Sequence, residues 1–400
     1  MAEPNGDAPL ASQELAPRER LERALADRTL VDRPAPELQG GARIAVYGAG
    51  NVGREMACFL ASHGIELACF IDERAAALGE VDGIPVMAPE VSLDPALPVA
   101  IGVFNRGADP RVIHDRLRRS GATHIIDFLA LHARFSDTLG DRYWLVSQAQ
   151  LRRHASAMRA GLDLWADDPS RELFARLLSY RLTGDPSQLP GSVKGIPYRP
   201  ADLPVPTGKA RFVDGGSFDG DTMRAWLRAG VLVEECWAFE PDPANFAALE
   251  RWWRSLGAAA PAHTLTHAAL GKGNGTIQFS AGAGEASRAG GTGPADSITV
   301  PLRTIDSSLA GAWPTELKLD IEGAEPDALE GARATILRAR PRLAVCAYHR
   351  VDHLWSLASW IASLDAGYTL HLRVHAASGF DAVAYGLQPG PREGRADEMS

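Results

Sequence analysis

Apolar and polar residues follow one repeated pattern in the C-terminal half of this chain, from about residue 209 to residue 390. Short apolar runs typical of buried strands alternate there with stretches in which apolar residues recur at the spacing of an amphipathic helix. This alternation predicts a doubly wound, mostly parallel α/β sheet. Only a short loop separates the last two apolar runs, YTLHLRVH and DAVAYGL, so we expect an antiparallel hairpin at one sheet edge.

A smaller region with the same kind of pattern precedes it, at residues 41–135. An apolar strand in ARIAVYGAGNVG runs into a glycine turn, and the helix that follows has Val52, Met56 and Phe59 at helical spacing. Further strands are expected in IELACFID, PVAIGVF and THIIDFL. We therefore predict a second, smaller Rossmann-like α/β domain in this region.

The remaining regions lack this alternation. Residues 136–208 have a helical pattern and then become rich in Pro and Gly, and we interpret them as a helical bridge and linker. Residues 1–40 are charged and rich in Ala and Pro, so we expect a flexible lead-in with one short helix in ELAPRERLERAL. Residues 391–400 are interpreted as a tail, and the Gly-rich stretch at 281–293 as a flexible loop.

Composition narrows the function mainly by exclusion. With 46% hydrophobic residues, 23% charged residues and a net charge of −9, the chain is typical of globular proteins, and its acidity argues against nucleic acid or an anionic membrane as partner. The four cysteines have no CxxC spacing and mostly lie in apolar patterns, which indicates buried thiols in a reducing compartment. Because no apolar run reaches the ~18 residues of a membrane span, we expect a cytoplasmic location.

A glycine turn with acidic residues, VDGGSFDGDT, opens the larger region. Asp214 ends one apolar run and Glu240 ends the next. In open α/β sheets, ligands bind at the carboxyl ends of the strands. Gly215, Gly216 and Gly220 would let a ligand approach backbone amides at the start of the helix, and we expect Ser217 of the same turn to contact the cofactor as well. Glu240 is suited to accept hydrogen bonds from the two hydroxyls of a ribose.

The charge of this turn indicates which ligand it binds. Carboxylates at Asp214 and Asp219, on either side of Ser217, would repel a pyrophosphate but suit a positively charged amine. S-adenosylmethionine has a ribose, no phosphate and a cationic amino-acid tail. We therefore expect this cofactor.

Several motifs in this region resemble those of the FkbM family of S-adenosylmethionine-dependent methyltransferases. They are VDGGSFDGDT, AFEPDPANFAAL, HAALG, VPLRTID and LKLDIEGAEPDALEGA. The resemblance implies a class I (Rossmann-like) methyltransferase fold and O-methylation of a hydroxyl, commonly on a sugar or a secondary metabolite. It also implies a cofactor site formed by Asp214, Gly216, Gly220 and Glu240, with the stretch from His267 through Ala268 to Leu270 near the adenine. Phe218 departs from the family pattern, in which a Gly often stands there.

Candidate catalytic residues follow two strands of the same region. Asp320 ends the run LKLD and is followed by Glu322, and His349 ends the run RLAVCAY. Two schemes are compatible with this pattern. Asp320 or His349 acts as a general base for the acceptor hydroxyl, or Asp320, Glu322 and His349 hold a divalent cation that lowers the pKa of that hydroxyl. His371, Arg373 and His375 alternate in the run LHLRVH, so we expect them to share one face of a strand. They either line an acceptor pocket or face solvent.

The N-terminal glycine turn leaves several interpretations open. Gly48, Gly50 and Gly53, followed by Asp72, match a dinucleotide-binding fingerprint. Residues 41–135 either bind a nucleotide-containing substrate or regulator, or form a degenerate core kept for packing or homo-oligomerisation. An NAD-dependent oxidoreductase that uses this turn, and a non-catalytic nucleotide-sensing protein, are the alternatives to a methyltransferase with a small-molecule or glycan acceptor. The motif FNRG, near residue 104, is a further candidate ligand loop.

Overall fold

A computed structural model describes residues 15–32, 38–280, 288–289 and 297–388. Over these ranges it contains a six-stranded sheet near the N-terminus, a helical bridge, and a C-terminal part with a seven-stranded and a four-stranded sheet. No helix in the described ranges combines the length and the apolar character needed to cross a membrane.

The N-terminal part is built around a strand whose carboxyl end meets the first glycine turn. Its elements are α1 (Pro17–Ala26), α2 (Thr29–Asp32), β1 (Arg43–Tyr47), α3 (Asn51–Ser62), β2 (Glu66–Ile71), α4 (Ala75–Leu78), β3 (Glu80–Val81), β4 (Ile84–Met87), β5 (Val99–Ile101), α5 (Pro110–Arg119) and β6 (Ile125–Ile126). The strand order is β3-β4-β2-β1-β5-β6, and β1 runs parallel to both β2 and β5. Because β1 is central, its side chains from Ile44 to Tyr47 are buried, as expected for an apolar strand covered on both faces.

The helical bridge joins the N-terminal part to the larger sheet. It consists of α6 (Phe128–Leu139), α7 (Gln148–Arg153), α8 (Ala155–Leu162) and α9 (Asp168–Thr183). Asp167 caps α9 by accepting a hydrogen bond from the Ser170 amide. Helix α1 packs against α9 and buries Leu21 and Ala24. The described part of the predicted flexible lead-in is therefore a packed helix, because these two apolar residues lie on one helical face and are covered.

The C-terminal part confirms the predicted fold class. Its elements are β7 (Ala210–Gly215), α10 (Asp221–Arg228), β8 (Val233–Phe239), α11 (Pro243–Leu256), β9 (Ala262–Thr266), β10 (Ala269–Leu270), β11 (Gly275–Ser280), β12 (Arg288–Ala289), β13 (Ser297–Arg303), α12 (Ile305–Leu309), β14 (Glu316–Leu319), α13 (Glu325–Glu330), α14 (Arg333–Ala339), β15 (Arg342–Cys346), α15 (His353–Ser363), β16 (Thr369–Val374) and β17 (Ala382–Leu387). The large sheet has the order β16-β17-β15-β14-β7-β8-β9. It is parallel except for β17, which is antiparallel to β15 and β16 and forms the predicted edge hairpin. The chain reverses its direction of travel across the sheet at β7, the position where ligands bind in such folds.

A small separate sheet was not predicted from the sequence. The segment HTLTHAALG was expected to be one strand, but β9 pairs in the large sheet whereas β10 pairs with β13 in the small one. The small sheet has the order β10-β13-β11-β12. Most of the expected flexible loop at 281–293 lies outside the described residues, and its two described residues, Arg288–Ala289, pair with β11.

Strand β16 attaches the large sheet to the helical bridge. The Arg373 guanidinium donates to the carboxylates of Asp167 and Asp202, at 2.9 and 2.7 Å. His371 Nδ1 lies 2.9 Å from Asp167 Oδ2, and His375 Nε2 lies 2.8 Å from the Tyr385 hydroxyl. These three strand residues were expected either to line an acceptor pocket or to face solvent. His371 and Arg373 instead contact the helical bridge, and His375 contacts the neighbouring strand β17.

The cysteine prediction needs one correction. Cys69, Cys236 and Cys346 are buried and unpaired, as the apolar patterns predicted, but Cys58 is exposed. It lies on α3 next to the exposed residues Arg54 and Glu55, four and three positions earlier in the helix and therefore on the same solvent-facing side.

Candidate active site

A cavity of about 340 Å³ lies at the carboxyl ends of β7, β8 and β14. The N-terminal part, the bridge with its linker, and the C-terminal part all contribute to its walls. Its volume is within the range of ~300–1,000 Å³ that is common for small-molecule sites. The strand ends and turns of the larger sheet contribute Gly216, Phe218, Phe239, Glu240, Lys318, Asp320 and Glu322. The bridge and linker contribute Tyr143 and Tyr198, and the N-terminal part contributes Phe104, Asn105 and Arg106.

The second glycine turn is held in close contact with the Asp320 backbone. Gly216 has a φ of +76°, and a Cβ atom there would lie 1.9 Å from the Asp320 carbonyl oxygen, so only glycine fits. The amides of Gly216 and Ser217 both donate to the Phe239 carbonyl. Ser217 Oγ donates to the Asp214 carbonyl and accepts from the Phe239 amide. Ser217 therefore closes the turn from behind and does not line the cavity.

Phe218 adopts the left-handed backbone conformation that glycine usually provides. Its φ is +48°, an uncommon value for a residue with a side chain. Its amide donates to Glu240 Oε2 at 2.8 Å, and this contact helps to hold the strained conformation. The departure from the family pattern therefore leaves the turn intact and adds an aromatic side chain to the cavity wall.

Glu240 presents a carboxylate at the carboxyl end of β8. Oε2 accepts from the Phe218 amide and Oε1 accepts from the Asp242 amide, at 2.8 and 2.9 Å. Burial raises the pKa of Glu240 above its ordinary value, although these two amides oppose the shift. Each carboxylate oxygen has two lone pairs, so both oxygens keep acceptor capacity towards the cavity.

Asp214 lies differently from the sequence expectation. It is the second-last residue of β7 and stands directly opposite Lys318 of β14, whose Nζ lies 3.0 Å from Asp214 Oδ1. Both side chains are buried, and Asp214 does not appear on the cavity wall, within the described residues. Its charge balances Lys318 and does not face a ligand amine.

Among the other predicted cofactor residues in the C-terminal part, some line the cavity and others pack against neighbouring side chains. Ala268 lines the cavity. His267 stacks on Phe246 with 4.9 Å between ring centroids. Gly215 packs tightly, since a Cβ there would lie within 3 Å of Leu319 and Leu270. Similarly, Gly220 begins α10 against the Trp252 ring and leaves no room for a side chain.

Asp320 is the acidic group at the centre of a polar cluster on the cavity wall. Its Oδ2 accepts from the Tyr198 hydroxyl at 2.7 Å, and its Oδ1 lies 3.4 Å from the Tyr348 hydroxyl. Burial would raise the pKa of Asp320, but the charges of His349 and Lys318 and the Tyr198 hydrogen bond together lower it. Asp320 is therefore ionised near neutral pH.

His349 lies behind Asp320 and is surrounded by carboxylates. Its Nδ1 is 2.8 Å from Glu325 Oε1, and its Nε2 is 3.3 Å from Asp320 Oδ1 and 3.8 Å from Glu322 Oε1. Burial would lower the pKa of His349, but Glu325, Asp320 and Glu322 raise it to about 9. The imidazole is thus cationic at neutral pH, which argues against its role as the general base.

The same arrangement does not fit the divalent-cation scheme. Among the residues that the structure describes, no group of three or more His, Cys, Asp or Glu side chains is placed to hold a metal ion. The His349 imidazolium instead contacts the carboxylates of Asp320, Glu322 and Glu325.

The N-terminal glycine turn borders a second cavity of about 460 Å³. Gly48 and Asp72 line it, whereas Gly53 packs so closely that a Cβ would lie 1.9 Å from the Gly48 carbonyl oxygen. Gly50 precedes α3, and its added Cβ would meet open space. The Asp72 carboxylate accepts from the Ala49 amide and from the Arg74 guanidinium, so much of its hydrogen-bonding capacity is already used.

Aromatic residues from outside the larger sheet also reach the first cavity, and the sequence did not predict their role there. Tyr143 and Tyr198 come from segments without a ligand-binding pattern. The motif FNRG was predicted to be a candidate ligand loop, and Asn105 of this motif borders both cavities. Its contribution to the first cavity depends on packing between distant parts of the chain, which a local pattern does not reveal.

Comparison with known proteins identifies the larger sheet region. Residues 214–370 match the methyltransferase FkbM domain family. This match includes both Glu240 and Asp320, and it confirms the family resemblance. Residues 214–370 thus have the sequence pattern of a methyltransferase FkbM domain.

One solved structure has the same fold. The chain is similar to the methyltransferase FkbM from Methylobacillus flagellatus KT, with 23% identity over 93% of this chain and 99% of that one, and a TM-score of 0.74. The shared fold thus includes the N-terminal part. Fibrillarin from Aeropyrum pernix, in complex with natively bound S-adenosyl-L-methionine, has 12% identity over 48% of this chain and 71% of that chain. Its TM-score of 0.28 is too low to support an argument. No curated protein matches this chain.

Proposed function

Because residues 214–370 match the methyltransferase FkbM domain family, we propose that the protein uses S-adenosylmethionine to O-methylate a hydroxyl of a sugar, glycan or secondary metabolite. The observation that supports this most directly is that Glu240 and Asp320 line one cavity at the carboxyl ends of β8 and β14, the two strands that flank β7. Glu240 suits a ribose diol, and Asp320 suits a hydroxyl that loses its proton. A cofactor and an acceptor therefore have separate polar partners in the same space.

The residues around Glu240 fit the cofactor. Glu240 keeps acceptor capacity for two hydroxyls, and Phe239 and Ala268 to Leu270 provide apolar surface for a purine ring. Among the described lining residues, Asp221, Glu240, Asp320 and Glu322 are acidic, whereas Arg106 and Lys318 are basic. This excess of carboxylates suits a cationic ligand. When bound, S-adenosylmethionine supplies a methyl group attached to a positively charged sulfur.

Asp320 is the residue best placed to take the proton of the acceptor hydroxyl. It is ionised, and about a quarter of its side chain is exposed to the cavity. Tyr198 holds one oxygen and His349 lies beside the other, so the carboxylate is oriented before the acceptor arrives. Its low basicity makes proton transfer late, after the acceptor oxygen has begun to lose electron density.

Aromatic side chains line the cavity beside this carboxylate. Phe380 packs edge-on against Phe104 and Tyr143, with 5.2 Å between ring centroids in each pair. Tyr348 packs against the same Phe380 ring. A site covered in this way strengthens the electrostatic interaction between Asp320 and a bound hydroxyl.

Calorimetry with S-adenosylmethionine, S-adenosylhomocysteine and NAD tests the cofactor assignment. The wild type should bind both adenosyl compounds. Glu240→Ala should make the binding free energy of each less favourable by about 1–3 kcal/mol, the cost of losing hydrogen bonds to a charged acceptor. Glu234→Ala is the control, because Glu234 is exposed on the same strand. NAD binding without binding of either adenosyl compound would instead favour an oxidoreductase that uses the N-terminal turn.

A further inference from the structure

We propose that the N-terminal part supplies the acceptor-recognition wall of this cavity through Asn105 and Arg106, and that the acceptor is an uncharged glycoside. This inference rests on the proposed function, because it places the acceptor in the same cavity as Asp320. It goes further by assigning substrate selection to residues outside the methyltransferase FkbM domain, in the loop that follows β5.

The loop that carries these residues is joined to the edge hairpin of the large sheet. Arg106 Nη2 lies 2.6 Å from Asp381 Oδ2. The Ala377 amide donates to the Arg106 carbonyl at 3.1 Å, and Ser378 Oγ donates to the Ala108 carbonyl at 2.9 Å. The two loops thus form a joint with both backbone and side-chain contacts. Asn105 and Arg106 therefore have a defined position relative to Asp320.

Strained backbone in the hairpin loop indicates that contacts between the two loops hold this arrangement in place. Ser378 and Asp381 have φ values of +57° and +51°, and neither is a glycine. Such conformations persist only where surrounding contacts hold them. Here those contacts come from the N-terminal loop. The bend also places Phe380, which lies between the two strained residues, on the cavity wall.

The chemistry of the combined wall favours a ring with an apolar face and hydroxyl groups. Phe104, Tyr143 and Phe380 provide aromatic surface, on which the C–H face of a sugar ring can pack. The Asn105 amide nitrogen offers two donors, whereas its Oδ1 already accepts from the Gly107 amide at 2.9 Å. Arg106, whose Nη2 pairs with Asp381, presents its other N–H groups on the same wall. These groups can form hydrogen bonds with the hydroxyls at the edge of the ring, while one further hydroxyl binds to Asp320.

Charge on the cavity wall disfavours an anionic acceptor. Lys318 is engaged by Asp214 and by the Gly216 carbonyl, and Arg106 is paired with Asp381. An acceptor carboxylate would lie near the carboxylates of Asp320 and Glu322 without an equal number of uncommitted cations. A neutral glycoside avoids this repulsion.

The test uses the full-length protein, labelled S-adenosylmethionine and a panel of matched sugars. The panel contains the methyl glycosides of glucose, galactose and mannose, with the corresponding uronic acid glycosides as anionic counterparts. Methyl transfer should be detected with at least one neutral glycoside, at a kcat/KM at least about tenfold above that of its uronic counterpart. Asn105→Ala and Arg106→Met should each raise KM for that glycoside about tenfold, the effect of losing one good hydrogen bond.

Controls separate acceptor recognition from cofactor binding and folding. Both variants should bind S-adenosylhomocysteine within about twofold of the wild type, and Arg106→Lys should recover part of the affinity. Arg118→Met is the matched control, because Arg118 is an exposed residue of α5 outside the cavity. It should leave KM unchanged.

The outcomes distinguish this inference from the proposed function. If the wild type binds S-adenosylhomocysteine but methylates no neutral glycoside, or accepts the uronic counterparts equally well, the acceptor inference is wrong and the cofactor site stands. Unchanged KM values in both loop variants would also overturn it. If the wild type binds neither S-adenosylmethionine nor S-adenosylhomocysteine, the proposed function itself fails.

Discussion

Lys318 and Asp214 face each other across the neighbouring parallel strands β14 and β7, with 3.0 Å between Nζ and Oδ1. The side chains are only 3% and 1% exposed. Lys318 Nζ also donates to the Gly216 carbonyl at 2.5 Å. Burial would lower the pKa of Lys318, but Asp214, Asp320 and Asp221 raise it above its ordinary value, so the amine stays protonated. This ion pair supports the glycine turn from inside the sheet.

Replacing Lys318 should destabilise the protein strongly. Lys318→Met leaves the Asp214 carboxylate buried without its partner, and we expect a loss of about 3–5 kcal/mol in the free energy of unfolding. Urea denaturation at pH 7 measures this loss. Lys272→Met serves as the control, because the Lys272–Asp327 pair is exposed and should contribute less than ~1 kcal/mol. Equal losses in the two variants would show that the buried pair has no special role.

Stability should fall at alkaline pH because of His349. Its pKa is raised from 6.5 to about 9, so its contribution is complete below pH 6.5 and is lost as the pH rises through about 9. The difference corresponds to about 3 kcal/mol, since one pKa unit is worth ~1.4 kcal/mol. Urea denaturation between pH 6 and 10 should therefore show a decline in the wild type that is much smaller in His349→Gln. Parallel pH profiles for the two proteins would contradict this assignment.

Adding a methyl group at Gly216 should disrupt the turn more than its backbone conformation alone explains. Gly216 and Gly230 have nearly equal φ values, +76° and +77°, but only Gly216 has a close neighbour, the Asp320 carbonyl oxygen. Gly230→Ala should cost about 1–2 kcal/mol for the left-handed backbone. Gly216→Ala should cost about 1–3 kcal/mol more, because the turn and Asp320 must move apart. Thermal or urea unfolding of both variants measures the difference.

Removing the charge of Asp320 should slow methyl transfer without abolishing cofactor binding. Asp320→Asn keeps the shape of the side chain but cannot accept a proton, so kcat should fall about 10²- to 10⁴-fold. The affinity for S-adenosylhomocysteine, measured by calorimetry, should change much less. Glu330→Gln is a suitable control on the exposed end of α13. A kcat that is equal in Asp320→Asn and the wild type would exclude Asp320 as the proton acceptor.

Local patterns predicted the parts of the site that depend on local structure. Glu240 and Asp320 each follow an apolar run, and the end of a buried strand can be recognised without knowledge of its neighbours. The edge hairpin was predicted for a similar reason, because the connection between its strands is too short for a crossover helix.

Features that depend on strand register or on packing between regions were not predicted. The pairing of Asp214 with Lys318 joins residues 104 positions apart, and it follows from the alignment of β7 with β14. Lys318 itself stands inside an apolar run, where the pattern gives no sign of its partner. Likewise, Tyr198 reaches Asp320 from the linker, through a contact between residues 122 positions apart. Such contacts require the assembled fold.

Asn105 borders both the methyltransferase cavity and the cavity beside the N-terminal glycine turn. A molecule that binds in either space and moves this side chain alters the shape of the other. Thermodynamic linkage makes any such effect reciprocal. A compound in the second cavity that raises the affinity for the acceptor would itself bind with higher affinity when the acceptor is present. The two cavities therefore share one side chain, and a change in the position of Asn105 would affect both of them.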